Sequence, residues 1–203
     1  MHAVALKAGY RFNLLRGFWL ALDDNTLVKL VLRGDLRAED ELISRHYGQV
    51  YRVAYGILCE RHGALDAAQN LFAKLRRLLR GFDGRSALKS YLYRSAVNAA
   101  LDELRRRKRR ARIATLEEIQ PAVADRAEET IEAAEVVKLA LSALPERQRA
   151  AVVLRDIEGL NTGEAAAALG ITPSGLRSIL AEGRLRLKQV IEKRFPEFSG
   201  WDG

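Results

Sequence analysis

The chain of 203 residues contains one cysteine, four prolines and no long apolar run. A single cysteine cannot form an internal disulfide, which excludes a disulfide-stapled secreted scaffold. The low proline and glycine content excludes a collagen-like or low-complexity chain. The longest apolar stretch near the N-terminus is Phe18–Leu22, far short of the roughly 20 residues of a membrane span, and Lys7, Arg11 and Arg16 interrupt any signal-peptide core. We therefore expect a cytoplasmic protein with no membrane partner.

Basic residues outnumber acidic ones, with 34 Lys+Arg against 26 Asp+Glu, a net charge of +8 and a pI near 9.9. This excess favours a polyanionic partner such as nucleic acid. It is concentrated in the run RRRKRRAR at residues 105–112, and the segment that follows, 113–135, is strongly acidic. The basic run could contact the DNA backbone by counterion release, or it could only stabilise a helix end through the helix dipole.

Apolar residues recur at helical spacing through almost the whole chain, and no segment alternates convincingly like a strand. The pattern predicts helices over 24–32, from Asp35 to Leu58, over 64–80 and over 87–107, with a second helical block from about Val136. We therefore predict an all-α protein of two small helical domains joined by an acidic linker. The expected boundaries are an N-terminal extension at 1–23, a first domain at 24–112, the linker at 113–135 and a second domain at 136–203.

The second block contains a helix-turn-helix pattern. A short alanine-rich helix, Thr162–Leu169, precedes Gly170, which can adopt a positive φ in a turn. Thr172 is a good N-cap for the next helix, and Pro173 suits its first position. The N-terminal half of this second helix would offer to a DNA major groove Ser174, Arg177, Ser178 and Arg184. An ordinary helical hairpin is the alternative.

The helix predicted over 87–107 has a polar face. Arg94, Asn98, Asp102 and Arg105 share it at i, i+4, i+8 and i+11. At the start of the helix stand Lys89, Ser90, Tyr91 and Tyr93. Aromatic, basic and amide groups suit single-stranded DNA, whose unpaired bases stack on rings and whose phosphates pair with cations. The alternative is a solvated amphipathic face.

A second polar edge lies on the helix predicted over 64–80, formed by Asp66, Gln69, Phe72 and Arg76. An exposed Phe between polar groups is typical of a protein-docking edge. Simple packing of Phe72 in the core is the alternative.

Metal binding and catalysis have little support. Cys59 and His62 stand at i, i+3 with His46 upstream, but a zinc site needs three or four ligands and nothing completes this set. No nucleophile–base pair, phosphate-binding glycine loop or paired-carboxylate motif stands out. We therefore expect no metal, no cofactor and no enzymatic activity.

Four segments in the correct order resemble bacterial sigma factors of the extracytoplasmic-function group. The start of that family's promoter-melting domain resembles DNTLVKLVLRGDLRAEDELISRHYGQVYRVA, and its core-polymerase-binding helix resembles ALDAAQNLFAKLRRLLRGFDGR. Its DNA-melting helix resembles YLYRSAVNAALDELRRRKRR, and its second domain resembles LPERQRAAVVLRDIEGLNTGEAAAALGITPSGLRSILAEGRLRLK. The resemblance covers residues 24–112 and 136–193.

The resemblance implies a factor that binds core RNA polymerase, directs it to the −35 and −10 elements of promoter DNA and opens that DNA. It also implies an anti-sigma factor as a partner. It assigns core docking to Asp66, Gln69, Phe72 and Arg76. It assigns the −10 element to Lys89, Ser90, Tyr91, Arg94, Asn98 and Arg105, and the −35 element to Thr172, Ser174, Arg177, Ser178 and Arg184.

The sequence also departs from the family, which usually has tryptophan at the positions of Arg76 and Tyr91. In the recognition helix, Glu182 would repel phosphate, and Gly183 weakens the helix by about 1 kcal/mol relative to alanine.

Two other interpretations stay open: a stand-alone helix-turn-helix regulator that binds duplex DNA itself, and a sigma mimic that only binds a regulator.

Overall fold

The computed structural model describes residues 21–84, 87–114 and 133–198, and every regular element in these segments is helical. The first domain contains α1 (Asp24–Leu32), α2 (Leu36–Leu58), α3 (Arg61–Phe72), α4 (Leu75–Leu79) and α5 (Leu88–Ala114). The second contains α6 (Ala133–Ser142), α7 (Glu146–Val152), a π-helical turn (Val153–Ile157), α8 (Thr162–Leu169), α9 (Pro173–Arg194) and a 3₁₀ turn (Pro196–Phe198). The prediction of an all-α, two-domain protein is confirmed. The predicted extension up to residue 20 and most of the predicted linker, 115–132, lie outside the described residues.

Helix α2 is the centre of the first domain, with α1, α3 and α5 packed around it. Asp35 caps its N-terminus by accepting the backbone N–H groups of Arg37 and Ala38, as the sequence predicts. Its buried side carries Leu42, Val50, Val53, Ala54 and Ile57. The helix ends at Leu58, and the C-cap residue Cys59, with a φ of 54°, turns the chain into α3.

The single helix predicted over 64–80 is wrong, because the structure has two helices there. The helical path breaks at Ala73 and Lys74, between α3 and α4. The break sets α4 against α1 and leaves Leu75 and Leu79 fully buried. Neither glycine nor proline marks the break, so local propensity predicts a continuous helix and tertiary burial overrides it.

Helix α5 is longer than predicted, since it continues beyond residue 107 to Ala114. Acidic side chains pair with much of its basic run: Arg107 contacts Glu60 and Glu103, and Lys108 contacts Glu146. The paired members of the run are Arg105, Arg106, Arg107, Lys108 and Arg110. These pairs lower the charge that the run presents to a partner.

The first helix of the helix-turn-helix has the predicted bounds, Thr162–Leu169, and the second begins at Pro173. Gly170 ends α8 with a φ of 64°, and Thr172 accepts the backbone N–H of Gly175 as the N-cap of α9. Gly183 has a structural role that the sequence does not reveal. A Cβ there would lie 3.2 Å from Cγ2 of Val152, so glycine lets α9 approach α7 closely.

The two domains pack against each other and share one apolar core. Helix α2 contacts α6, α7 and the π-helical turn, and α5 packs along α8. Gly56 of α2 seats Val153, because a Cβ at Gly56 would lie only 2.8 Å from Cγ2 of that valine. No local pattern in the sequence predicts this interdomain packing.

Candidate nucleic-acid interface

The predicted face for single-stranded DNA lies along α5. Its basic and amide side chains are exposed, namely Lys89, Arg94, Asn98 and Arg105. Ser90 is half-buried. Lys89 Nζ lies 5.5 Å from the ring centroid of Tyr93, and Arg105 donates to Asp102 at 2.8 Å. The structure therefore places these side chains on one helix, as the spacing predicts.

Tyr91 is half-buried at the start of α5 and held at a fixed position. Its hydroxyl donates to the backbone oxygen of Leu78 at 2.9 Å, and its ring lies 5.3 Å from the ring of Phe82. A Cβ at Gly81 would lie 3.1 Å from the Tyr91 hydroxyl, so glycine leaves room for this contact. The turn after α4 thus fixes the aromatic group that the sequence predicts at this face.

A cavity of about 1020 Å³ lies between α3, α4 and α5. Its lining joins the two predicted surfaces of the first domain, because it includes Asp66 of the docking edge and Tyr91 and Arg105 of the DNA face. The other basic residues of the lining are Lys74, Arg77, Arg106 and Arg109. Three acidic side chains, those of Asp66, Asp102 and Glu103, line it as well, so the concave surface has a small basic excess and weakly favours anionic groups.

Arg94 and Tyr93 contact the second domain. The Nε and Nη2 atoms of Arg94 donate to the backbone oxygen of Ala167 in α8, at 2.9 and 2.6 Å. Tyr93 is fully buried and donates to Glu158 at 3.0 Å; burial, then the Glu158 charge, raises the pKa of its hydroxyl. Sequence reasoning misses Glu158, since nothing local marks a loop glutamate as a buried partner.

The recognition helix α9 presents an exposed polar surface near its N-terminus. The exposed members there are Ser174, Arg177 and Ser178. Thr172 serves as the N-cap, with its Oγ1 3.1 Å from Oγ of Ser174. Arg184 donates from Nε to Asp156 at 3.0 Å, and this hydrogen bond raises the pKa of its guanidinium. Thr172 and Arg184 therefore already have structural partners.

The predicted docking edge is divided between α3 and α4. Its exposed members are Asp66 and Gln69. Phe72 is only 6% exposed and stacks on Tyr47 with the ring centroids 5.7 Å apart. The expectation of an exposed Phe is therefore wrong, and the alternative of core packing is correct. Arg76, on α4, pairs with Glu39 at 2.6 Å.

Two of the three residues considered for a metal site, His46 and Cys59, have other roles. His46 Nε2 lies 2.9 Å from a carboxylate oxygen of Asp24, and Cys59 caps α2. Burial raises the pKa of the Cys59 thiol. Within the described segments, no three His, Cys, Asp or Glu side chains are placed to hold a metal ion. No helix in the same segments has the length and apolar content needed to cross a membrane.

The helix-turn-helix and the basic, aromatic face of α5 define a helical DNA-binding protein of two domains. Family models give the same division. Sigma-70 region 2 matches residues 42–110, and Sigma-70, region 4 matches residues 134–187.

Similar proteins extend this result. The chain is 37% identical to the ECF RNA polymerase sigma factor SigM of Mycobacterium tuberculosis, over 83% of this chain and 84% of that protein. It is 34% identical to the ECF RNA polymerase sigma factor SigE of Mycolicibacterium smegmatis, over 78% of this chain and 63% of that protein. The chain therefore belongs to the extracytoplasmic-function sigma factors of the sigma-70 family, which are transcription initiation factors.

Two solved structures share the fold. The sigma factor RpoE in complex with the anti-sigma factor NepR from Bartonella quintana superposes with a TM-score of 0.63 and 21% identity, covering 76% of this chain and 97% of that one. CnrH in complex with the cytosolic domain of CnrY gives a TM-score of 0.63 and 23% identity, covering 84% of this chain and 98% of that one. Because each superposition covers three quarters or more of this chain, the two structures support the helical architecture described above.

Proposed function

We propose that this sigma factor divides its contacts among three surfaces. Asp66 and Gln69 of α3 dock on core RNA polymerase, the α5 face binds the −10 element, and the N-terminal half of α9 binds the −35 element. One observation carries the proposal: each region that matches a sigma-70 model presents an exposed polar surface on the helix that the resemblance assigns to that contact.

For the −10 element, the α5 face combines a fixed aromatic group with cations. Tyr91 is held by Leu78 and Phe82 and so offers a ring at low entropic cost. Lys89 is exposed at the start of α5 and Arg105 lines the cavity beside its partner Asp102, and both side chains can pair with phosphates of a single strand. Asn98 lies on the same helix and can donate to and accept from an unpaired base edge.

For the −35 element, Arg177 is the side chain best suited to direct contact. It is exposed near the start of α9 beside Ser174 and Ser178, where a recognition helix meets base edges and phosphates. Arg184 reaches DNA only by giving up its bond to Asp156. Thr172 contributes by capping α9 and so fixing the helix that carries Arg177.

For core docking, the exposed side chains of α3 make the contact and the buried ones hold the helix in place. Phe72 stacks on Tyr47, and this packing sets the position of Asp66 and Gln69. Arg76 is tied to Glu39, which joins α4 to the N-terminal part of α2. We therefore assign direct docking to Asp66 and Gln69, and positioning roles to Phe72 and Arg76.

Gln69→Ala is expected to weaken binding to core RNA polymerase about 5- to 30-fold, since a central interface side chain typically contributes 1–2 kcal/mol. Binding is measured by titrating core polymerase with labelled sigma factor. Gln189→Ala, which removes an exposed glutamine from the second domain, serves as the matched control and should change neither core affinity nor thermal stability. Equal core affinity of Gln69→Ala and wild type would remove α3 from the docking surface.

We further infer that the protein acts beside core polymerase in the cytoplasm and that an anti-sigma factor regulates it. Family membership supports the first inference. The second is supported by the two solved structures that share the fold, each of which is a complex, one of them of a sigma factor with an anti-sigma factor. Such a partner would compete with core polymerase or with promoter DNA for the surfaces described above.

A further inference from the structure

A line of side chains runs from the start of α2 toward the start of α5. It begins at Leu36, whose exposed fraction of 66% is the highest among the large apolar side chains of the described segments. Leu36 precedes Glu39 by three residues on α2, so the two side chains share an edge of that helix. Glu39 pairs with Arg76 of α4 at 2.6 Å, which places Leu36 beside the N-terminal end of α4.

Arg80 continues this line along α4. It follows Arg76 by four residues, so the two side chains lie on the same edge of the helical path. Two residues later comes Phe82, whose ring lies 5.3 Å from the ring of Tyr91 at the start of α5. The line that starts at Leu36 therefore ends against the aromatic group of the α5 face.

Two exposed arginines on this line are available to an anion. Arg33 lies in the turn before α2, and Arg80 lies at the end of α4. Within the part of the chain that the structure describes, neither guanidinium has a hydrogen bond or an ion pair. The two surrounding segments, 29–40 and 73–84, together hold seven basic and four acidic residues. The four acids are Asp35, which caps α2, Glu39, which pairs with Arg76, and Asp40 and Asp83. This surface therefore keeps a positive charge, which is complementary to phosphate.

We infer that this line, formed by Arg33, Leu36, Arg80 and Phe82 and here called the α4 seam, binds single-stranded DNA that continues from the −10 element toward the transcription start. The inference rests on the proposed function, because the seam ends at Tyr91, which is proposed to stack on an unpaired base. Beyond that base the opened strand has no complement, so its phosphates and base faces are available to cations and apolar groups. In the seam the arginines pair with phosphates, and the leucine and phenylalanine contact bases.

A segment of core polymerase is the other occupant that this surface could take. The continuity of the seam with the α5 face favours DNA, because Phe82 contacts Tyr91 directly. The proposed docking residues, Asp66 and Gln69, lie on a different helix, α3. The two occupants differ in what they change, since a protein contact alters core affinity and a DNA contact alters only the affinity for the strand.

Two fork-junction DNAs distinguish these occupants in the complete holoenzyme. Both contain the promoter upstream of the gene for this protein, as duplex up to the −10 element. The short fork ends its single non-template strand at the last base of that element, and the long fork extends this strand by about six nucleotides, a length typical of single-strand sites. The measured quantity is the gain, defined as the Kd for the short fork divided by the Kd for the long fork, at about 50 and 200 mM salt.

A phosphate paired with a cation contributes about 0.7 to the salt slope of single-strand binding. For the wild type we expect a gain that falls with salt. Arg80→Ala should make the fall between the two salt concentrations about threefold smaller, because one phosphate contact is lost. Leu36→Ala should lower the gain by the same factor at both salt concentrations, because it removes an apolar contact. The matched controls, which should keep the wild-type gain, are Arg61→Ala on α3, at an exposed arginine, and Leu185→Ala on α9, at an exposed leucine.

A gain that is the same in Arg80→Ala, Leu36→Ala and the wild type would overturn the inference, and so would equal binding of the two forks by the wild type. Variants that keep the gain but bind core polymerase more weakly would identify a protein contact at the seam and overturn it as well. Failure of the proposed function has a different signature. In that case the wild-type holoenzyme would bind neither fork, and the inference would fall with the proposed function.

Discussion

Tyr91→Ala reduces promoter opening about 5- to 150-fold and leaves core polymerase affinity unchanged; this is the result we expect. A base stacked on an aromatic side chain contributes 1–3 kcal/mol, and alanine removes the ring that Leu78 and Phe82 hold in place. Opening is measured as the fluorescence of 2-aminopurine placed in the −10 element. Core affinity is measured separately on the same protein.

The matched control for this prediction is Tyr91→Phe, which retains the ring and loses only the hydroxyl bond to Leu78. We expect it to reduce opening by less than about threefold, because the ring that stacks on the base is retained. The lost hydrogen bond, which contributes about 0.5–1.5 kcal/mol to folding stability, only positions that ring. If Tyr91→Ala and Tyr91→Phe open promoters equally well, the ring does not bind the single strand.

Arg149→Ala is expected to lower the free energy of unfolding by about 3 kcal/mol or more. Its buried guanidinium donates to three backbone oxygens, those of Ile57, Ser142 and Leu144, at 2.7, 2.7 and 3.0 Å. Alanine leaves these acceptors without a donor in a low-dielectric site, and each unsatisfied group costs about 1–3 kcal/mol. For a chain of this size, the thermal midpoint should fall by roughly 6–12 °C.

Arg147→Ala is the matched control, because Arg147 lies on the same helix and is exposed. Its free energy of unfolding should stay within about 0.5 kcal/mol of the wild type in urea titration. If Arg149→Ala were as stable as Arg147→Ala, the buried arginine would not hold the α6–α7 turn to the first domain.

Local signals predict the second domain well. The helix bounds Thr162–Leu169, the left-handed Gly170 and the N-cap Thr172 all follow from residues within a few positions of each feature. The polar face of α5 is predicted for the same reason, because residues four apart on a helix share a side regardless of the rest of the fold.

Features that depend on distant contacts could not be predicted. The break between α3 and α4 depends on burial of Leu75 and Leu79, and the burial of Phe72 depends on Tyr47 of another helix. The sequence alone indicates only that Gly56 lowers helix propensity, because its packing role depends on Val153 of the other domain. From the sequence alone, Glu158 and Arg149 would be predicted to lie on the surface, and their side chains are buried only because the two domains pack together. In each case the partner is far away in the chain.

Run-off transcription with core polymerase, on DNA taken from upstream of the gene for this protein, measures whether this chain initiates transcription. We predict a specific transcript only when both core polymerase and this chain are present. We also predict a lower yield with Arg177→Ala, because the −35 contact is weakened while the −10 contact remains. If the chain neither co-elutes with core polymerase nor supports any promoter-specific transcript, the proposed function is wrong.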